Sequence, residues 1–150
     1  MIRTMAMAAA LLCAGTAQAQ LGVVQGPVES FVEKVTDADT LDVKAMPWPN
    51  QAEWRTIRIR GIDAPELRGR CQYEKDLAQA AKKFVQDLVD KNGGMVRLTV
   101  VGCDERNGGG FGRCLSYVHA GSVNITDALI ERGLARENHG QARGPWCPAP

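Results

Sequence analysis

The sequence predicts a small, mainly β domain with helices, of the α+β class. Three observations indicate it. Over several short runs apolar and polar residues alternate, as they do in strands with one buried face. One longer segment has the periodicity of an amphipathic helix, and a shorter helical segment follows the last strand. The chain is 150 residues long, which suits a single domain of this kind.

Residues 1–19 are predicted to be a secretory signal peptide that is not part of the fold. Arg3 is its only charged residue, residues 5–14 are apolar, and Ala17-Gln18-Ala19 is a small-x-small cleavage site. Such an apolar run is too short to span a membrane. Cleavage after Ala19 is therefore expected to release a protein without a membrane anchor into the periplasm or the medium.

The rest of the chain divides into a flexible lead at residues 20–27 and a single domain at residues 28–150, which we expect to be monomeric. Strands are predicted at residues 28–35, 40–45, 55–62, 95–101 and 114–119. Residues 47–50, Pro-Trp-Pro-Asn, turn between the second and third strands. The third strand ends before Pro65, which has no N–H to donate to a ladder.

Two helices complete the predicted domain. The first covers residues 73–90. Its apolar face consists of Leu77, Ala81, Phe84, Val85 and Leu88. Asn92-Gly93-Gly94 supplies the positive-φ residues of its exit. The second helix begins at the cap residue Asn124, runs through Arg132 and is closed by Gly133.

Carboxylates and arginines gather at two places that flank predicted strands. Asp37 and Asp39 lie in the turn Asp-Ala-Asp-Thr between the first two strands. Asp63 and Glu66 follow the third strand, which also carries Arg58. Phosphodiester cleavage needs carboxylates that hold a cation and an arginine that offsets charge on phosphorus. The pattern therefore favours a phosphodiesterase site over a merely charged strand.

These motifs stand in a characteristic order. D-A-D-T-L is followed by R-I-R-G-I-D-A-P-E, then by F-G-R at Phe111-Gly112-Arg113, and finally by A-L-I-E-R-G-L-A-R. The series resembles the staphylococcal nuclease (thermonuclease-like) family over residues 31–136. The resemblance implies an OB fold, a five-stranded Greek-key barrel with two to three helices. It also implies a secreted, Ca²⁺-dependent nuclease that hydrolyses phosphodiester bonds of DNA and RNA.

The same resemblance assigns roles to six residues of the site. The expected Ca²⁺ ligands are Asp39, Asp63 and the backbone carbonyl of Ala64. The expected catalytic residues are Arg58, Glu66 and Arg113. In this assignment the two carboxylates and the carbonyl supply the hard oxygen atoms that Ca²⁺ prefers. The arginines bind the phosphate with two N–H groups each, and the glutamate contacts water near the scissile bond.

The sequence departs from the family pattern in the loop before Arg113. Residues 105–110 are an insertion, and Phe111 replaces the usual tyrosine. Arg106, inside the insertion, is a second candidate for the phosphate role, although Arg113 beside the strand is preferred. The tyrosines that stack on the nucleotide near the family's second helix have no counterpart after Arg136, which predicts weaker base binding.

The charge of the chain is close to neutral after signal-peptide cleavage. Removing Arg3 from the 18 Lys and Arg residues leaves 17, equal to the 17 Asp and Glu residues. Tight nucleic-acid binders usually carry a surplus of positive charge, so brief binding of a phosphodiester is the expected mode.

Two other functions stay open: a non-catalytic OB module that binds single strands or oligosaccharides, and an accessory role in exopolysaccharide or envelope biosynthesis.

The cysteines predict two disulfides. Four remain after loss of Cys13, an even number in an oxidising compartment, and the absence of CxxC spacing argues against zinc. Four cysteines allow three pairings, and the sequence alone leaves them open. We prefer Cys103–Cys114, which brackets the Gly-rich segment, together with Cys71–Cys147, which ties the C-terminal tail to the loop after Glu66.

Overall fold

The structure of the protein, a computed structural model, describes residues 26–104 and 112–148. The predicted signal peptide lies outside these residues, as do most of the lead, the insertion with Arg106, and Phe111. Within the described ranges the chain forms a β-barrel accompanied by two helices.

The strands and helices follow one another in a simple order. Numbered along the chain, the strands are β1 (Val28–Asp37), β2 (Thr40–Trp48), β3 (Gln51–Ile59), β4 (Ile62–Asp63), β5 (Met95–Cys103), β6 (Arg113–Ala120), β7 (Val123–Asn124) and β8 (Arg136–Glu137). The helices are α1 (Gln72–Lys91), between β4 and β5, and α2 (Ile125–Glu131), between β7 and β8.

The five long strands form a closed barrel. β1 pairs with β2 and β5, β2 also pairs with β3, and β5 also pairs with β6, all antiparallel. A parallel pairing between β3 and β6 closes the sheet on itself, with Thr56 opposite Arg113 and Ile59 opposite Ser116. This five-stranded mixed barrel with two helices is the predicted OB-type α+β fold.

The third strand lies earlier in the sequence than the alternation predicts. β3 covers Gln51–Ile59 rather than residues 55–62. Gly61 accounts for the early end, because its φ of 88° is a left-handed conformation that turns the chain out of the ladder. The next two residues form β4, which pairs with β8 instead of the barrel. The turn between β2 and β3 shortens to Pro49 and Asn50, and Asn50 adopts a φ of 62°, which asparagine tolerates.

α1 confirms the first predicted helix and is one residue longer at each end. Its buried face differs from the predicted one. The buried residues are Glu74, Ala78, Ala81, Val85 and Val89. Phe84 and Leu88 pack beside this stripe while partly exposed, and Leu77 is half-buried. Ala81 and Val85 belong to both faces, so the prediction is displaced by about one position around the helix, and the glutamate at the start of the buried stripe could not be found from apolar periodicity.

α2 confirms the second predicted helix with a slightly shorter span. The side chain of Asn124 accepts a hydrogen bond from the backbone N–H of Thr126 at 3.0 Å, which is the predicted N-cap. The helix ends at Glu131, and Gly133 follows with a φ of 66°. In the part of the chain that the structure describes, neither helix is long and apolar enough to cross a membrane.

The hydrophobic core fills the barrel and extends beneath both helices. Its largest fully buried side chains include Leu41, Ile57, Ile59, Leu98, Ile125 and Leu129. Burying each of these contributes roughly 1.5–3 kcal/mol relative to leaving it in water. Ile57 and Ile59 flank Arg58 on β3, so packing of the core fixes the strand from which that arginine projects.

Both preferred disulfides, Cys103–Cys114 and Cys71–Cys147, are present. The first joins neighbouring strands, since Cys103 on β5 and Cys114 on β6 lie opposite each other in the ladder. The second joins the residue before α1 to the C-terminal tail. The tail is therefore attached next to the loop that carries Glu66, as the preferred pairing predicts.

Candidate active site

A cleft of about 480 Å³ opens where the turn between β1 and β2 meets the loop after β4. The predicted site residues that line it are Asp39, Arg58, Ala64, Glu66 and Arg113. The sixth, Asp63, is buried and contacts Arg143, which also lines the cleft. The structure thus brings the whole predicted set together, and the chemical role of each residue stays a prediction.

Asp39 is fixed from several sides. It is 4% exposed, and its Oδ1 accepts a hydrogen bond from the Thr40 hydroxyl at 2.8 Å. Its Oδ2 lies 2.9 Å from Nη2 of Arg58. Thr40 is opposite Arg58 in the β2–β3 ladder, so strand pairing itself brings the carboxylate and the guanidinium together. A buried carboxylate is tolerated here because it is paired and hydrogen-bonded.

Asp63 is positioned by the short β4–β8 ladder, in which it pairs with Arg136. It is also 4% exposed. Its Oδ1 lies 3.1 Å from Nε of Arg143, yet no group in residues 26–104 and 112–148 donates a hydrogen bond to that oxygen. The guanidinium is therefore close enough for an ion pair but is not aligned for a hydrogen bond. A buried carboxylate oxygen in this condition has capacity left for a further cation.

Glu66 stands on a loop that α1 supports. The buried carboxylate of Glu74 accepts hydrogen bonds from the backbone N–H of Glu66 at 3.3 Å and of Arg70 at 3.0 Å. Gly69 lets the loop pass over this carboxylate, because a Cβ at that position would lie 2.4 Å from Glu74 Cδ. Sγ of Cys147 is 3.7 Å from Glu74 Oε2. The side chain of Glu66 itself is 57% exposed, so it remains accessible to water in the cleft.

Arg113 reaches the cleft through closure of the barrel. It is the first residue of β6 and lies opposite Thr56, two positions before Arg58 on β3. Its carbonyl accepts a hydrogen bond from the N–H of Asp104 at 2.9 Å. Arg113 and Arg68 both line the cleft, and within the described residues neither forms an ion pair. Guanidinium groups of this kind are suited to an incoming phosphate.

Two other arginines of β3 and its end lie outside the cleft. Arg55 pairs with Glu53 on the same strand. Arg60 sits over the ring of Tyr117, 5.7 Å from its centroid. Both contacts keep these guanidinium groups away from the cleft, so only some of the arginines in this stretch of sequence contribute to its positive charge.

Arg143 is a cleft residue that the sequence analysis did not identify. Its guanidinium contacts three carboxylates: Nε faces Asp63 Oδ1, Nη1 contacts Glu66 Oε1, and Nη2 lies 3.7 Å from Asp39 Oδ2. The residue belongs to the C-terminal tail, outside any helix or strand, so no periodicity marks it. The one signal in the sequence is Cys147, whose bond to Cys71 carries the tail to the loop after β4.

Of the three acidic residues around Arg143, Asp39 and Asp63 are the buried pair that could hold a divalent cation. Their carboxylates converge on one positive group, and one oxygen of Asp63 lacks a hydrogen-bond donor among the described residues. Converging hard oxygen atoms are the ligands that Ca²⁺ prefers. Among the described residues, the group of three whose ligand atoms lie within 4.8 Å of one another is a different one, Cys71, Glu74 and Cys147. Its two sulfurs form a disulfide, and only thiolates bind metals strongly.

The sequence of this region matches a known family. A family model described as staphylococcal nuclease homologue matches residues 56–144, which is more than half of the 150-residue chain. The matched range contains Arg58, Asp63, Glu66 and Arg113, whereas Asp39 precedes it. None of the curated proteins matches the sequence.

Proposed function

Because the chain belongs to the staphylococcal nuclease homologue family, we propose that it is a Ca²⁺-dependent nuclease that hydrolyses phosphodiester bonds of DNA and RNA. Family membership by itself indicates a nuclease or nucleic-acid-binding function. The observation that carries the more specific proposal is the cleft, in which three carboxylates lie beside Arg58 and Arg113. A protein that only binds nucleic acid has little use for clustered carboxylates, because they repel phosphate.

The residues that would hold the cation are Asp39 and Asp63, together with the backbone carbonyl of Ala64. When bound, Ca²⁺ withdraws charge from a phosphoryl oxygen and activates a water molecule. The two aspartates suit this role because they are buried and held by neighbouring groups, so their positions do not depend on substrate. Pre-positioned ligands lower the reorganisation needed when the reaction begins.

The chain's own cationic and acidic side chains supply the other parts of the reaction. Arg58 and Arg113 approach from neighbouring strands and bind non-bridging phosphate oxygens, where negative charge grows in the transition state. The exposed carboxylate of Glu66 orients the attacking water or accepts its proton. Arg68, at the same cleft, adds attraction for the phosphate backbone.

Substrate binding is proposed to depend on phosphate contacts more than on bases. The described residues that line the cleft include four arginines and no aromatic side chain. Stacking on aromatic rings is the usual way in which proteins hold single-stranded bases without regard to sequence. The protein is therefore expected to cleave many sequences with modest affinity, which agrees with its near-neutral charge.

We also propose that the protein acts outside the cytoplasm, in the periplasm or the medium. Two features support this location: the signal-peptide pattern of residues 1–19 and the two disulfides of the described chain. Disulfides of this kind persist in oxidising compartments and are rare in the cytosol. N-terminal sequencing of the exported product is expected to begin at Gln20.

Gel assays with purified protein lacking residues 1–19 test the proposed activity. Plasmid DNA, single-stranded DNA and RNA are each expected to be degraded with CaCl₂ and to stay intact with a chelator. Retarded but uncut DNA in the presence of Ca²⁺ would instead indicate the non-catalytic binding module. Absence of both cleavage and retardation would contradict the proposal and favour a role in envelope or exopolysaccharide assembly.

A further inference from the structure

The arrangement around Arg143 places one guanidinium where three carboxylates converge. Its Nε is 3.1 Å from Asp63 Oδ1, its Nη2 is 3.7 Å from Asp39 Oδ2, and its Nη1 contacts Glu66 Oε1. Each nitrogen thus faces a different acid. Two of these acids are the residues that would hold Ca²⁺, so the guanidinium and the metal ion cannot both keep the same contacts.

This guanidinium is an imperfect partner for the site. A guanidinium binds best when two of its N–H groups meet the two oxygens of one carboxylate. Here its contacts are divided among three acids, the one to Asp39 is too long for a hydrogen bond, and Asp63 Oδ1 has no aligned donor in the described chain. A small divalent ion needs no such alignment, because it binds carboxylate oxygens in flexible geometry. The contacts of Arg143 are therefore ones that a metal ion can displace.

The tail keeps Arg143 at the site from both sides. Before it, Arg136 forms part of the β8–β4 ladder. The residues after Arg143 are held by Arg136 as well. The carbonyl of Pro145 accepts a hydrogen bond from Arg136 Nη1 at 3.0 Å, and the ring of Trp146 stacks on the same guanidinium, 3.9 Å from the ring centroid. The disulfide Cys71–Cys147 then anchors the chain beside Glu74. A group tethered this closely has a local concentration of roughly millimolar or more.

We propose that Arg143 is a tethered internal competitor for the divalent cation and thereby sets the metal affinity of the site. This inference rests on the proposed function, because it assumes that Asp39 and Asp63 bind the ion. In the absence of metal the guanidinium balances the charge of the acids, and metal binding requires it to leave. A guanidinium that fills the site about nine-tenths of the time weakens the apparent metal affinity about tenfold.

Calorimetric titration of CaCl₂ into chelator-treated protein tests the inference without relying on activity. Arg143→Gln is expected to bind Ca²⁺ on the order of tenfold more tightly than the wild type. Arg68→Gln is the matched control, since it removes an equal charge from the same cleft without an ion pair to the acids in the described chain. It is expected to change the affinity less than about threefold, as screened surface charges do.

A double variant, Cys71→Ser with Cys147→Ser, separates competition from simple charge repulsion. It keeps the charge of Arg143 but removes the covalent part of the tether and leaves the β8–β4 ladder and the contacts of Arg136, so its Ca²⁺ affinity is expected to lie between those of the wild type and Arg143→Gln. Equal affinities of Arg143→Gln and Arg68→Gln would overturn the inference, and so would a double variant that binds Ca²⁺ more weakly than the wild type. If no variant binds Ca²⁺, the inference also fails. If the affinities follow the expected order while none of the proteins cuts nucleic acid, the inference stands and the proposed nuclease activity fails.

Discussion

At the scale of single residues, the cleft combines fixed, buried carboxylates with movable, exposed guanidinium groups. Asp39 and Asp63 are each 4% exposed and are held by strand pairing or by neighbouring side chains. Arg143, by contrast, is 40% exposed and belongs to the tail. Long exposed side chains reorient easily, whereas buried and paired carboxylates do not. We therefore regard the acids as the permanent frame of the site and the arginines as the groups that adapt to metal and phosphate.

Replacing either buried aspartate should remove metal-dependent activity. Asp39→Asn and Asp63→Asn each keep the side-chain shape but remove one charged ligand from a site that has few others. Ca²⁺-stimulated cleavage is expected to fall to background, while the far-UV circular dichroism spectrum stays that of the wild type. Asp87→Asn, at an exposed position of α1 paired with Lys83, is the control for charge and should stay active. Full activity in either cleft variant would disprove the metal assignment.

The arginines should not be replaceable by lysine. Arg58→Lys and Arg113→Lys keep the charge but lose the two-pronged phosphate contact, so kcat is expected to fall roughly tenfold to a thousandfold, the scale of losing one transition-state donor. Arg60→Lys is the matched control, because Arg60 projects from the end of β3 over Tyr117 and not into the cleft. If Arg113→Lys were silent and Arg106→Lys inactive, the phosphate role would belong to the insertion.

The sequence predicted the six site residues because they stand in short motifs, and it missed Arg143 for a physical reason. Asp39 and Arg58 are adjacent through the register of β2 and β3, and the motifs that contain them, rather than hydrophobic alternation, indicated that they belong to one site. Arg143 is adjacent to them only because the tail folds back through β8 and a disulfide that closes a loop of 76 residues. Contacts over such separations depend on the tertiary structure and leave no local pattern in the sequence.

At the scale of secondary-structure elements, length decided what the sequence could predict. The 20-residue α1 has enough turns for its periodicity to stand out, and its bounds were predicted within one residue. β4 and β8 have two residues each, too few for any alternation, and they were not predicted. Yet this small ladder positions Asp63 and directs the tail toward the cleft. Part of the site is thus held by elements that only the folded structure reveals.

α1 contributes to the site through Glu74, which we regard as a positioning residue. Glu74→Gln leaves one acceptor oxygen where two backbone N–H groups now find a carboxylate. Losing one of these buried hydrogen bonds is expected to cost about 1–3 kcal/mol of unfolding free energy. It should also lower kcat more than it raises KM, because the loop that places Glu66 becomes less fixed. Urea denaturation and steady-state kinetics measure the two effects.

A control on the same helix distinguishes this role from a general effect on stability. Asp76→Asn changes an exposed carboxylate that bonds only to Gln72 among the described residues. Surface changes of this type usually alter stability by less than about 0.5 kcal/mol. Its kcat is expected to equal that of the wild type. A Glu74→Gln enzyme with lower stability but unchanged kcat at saturating substrate would show that Glu74 supports the fold alone.

At the scale of the whole molecule, the cleft is assembled from distant parts of the chain. Its acids come from the segment between β1 and α1, whereas Arg113 and Arg143 come from β6 and the tail. The parallel β3–β6 pairing brings Arg113 into place, and the second disulfide brings Arg143. The site therefore depends both on closure of the barrel, near which Cys103–Cys114 lies, and on attachment of the tail by Cys71–Cys147.

The two disulfides should accordingly differ in what they support. In the chain-entropy description a cross-link stabilises by restricting the unfolded state, and the effect grows with loop length. For the separation of 76 residues at Cys71–Cys147 it gives about 4.5 kcal/mol, against about 3 kcal/mol for the 11 residues at Cys103–Cys114. Serine pairs at Cys71 and Cys147 should therefore lower the urea midpoint more than serine pairs at Cys103 and Cys114.

The loss of catalytic activity should rank the two pairs of serine substitutions in the opposite order. Cys114 is next to Arg113, so opening Cys103–Cys114 loosens the strand end that carries a phosphate-binding guanidinium, and small displacements there reduce kcat strongly. Opening Cys71–Cys147 releases mainly the tail, and cleavage at saturating Ca²⁺ is expected to be retained. Urea denaturation and measurement of kcat on both double variants test these two predictions. If one variant were worse in both stability and kcat, a single disulfide would support barrel and site together, and the two bonds would not have separate roles.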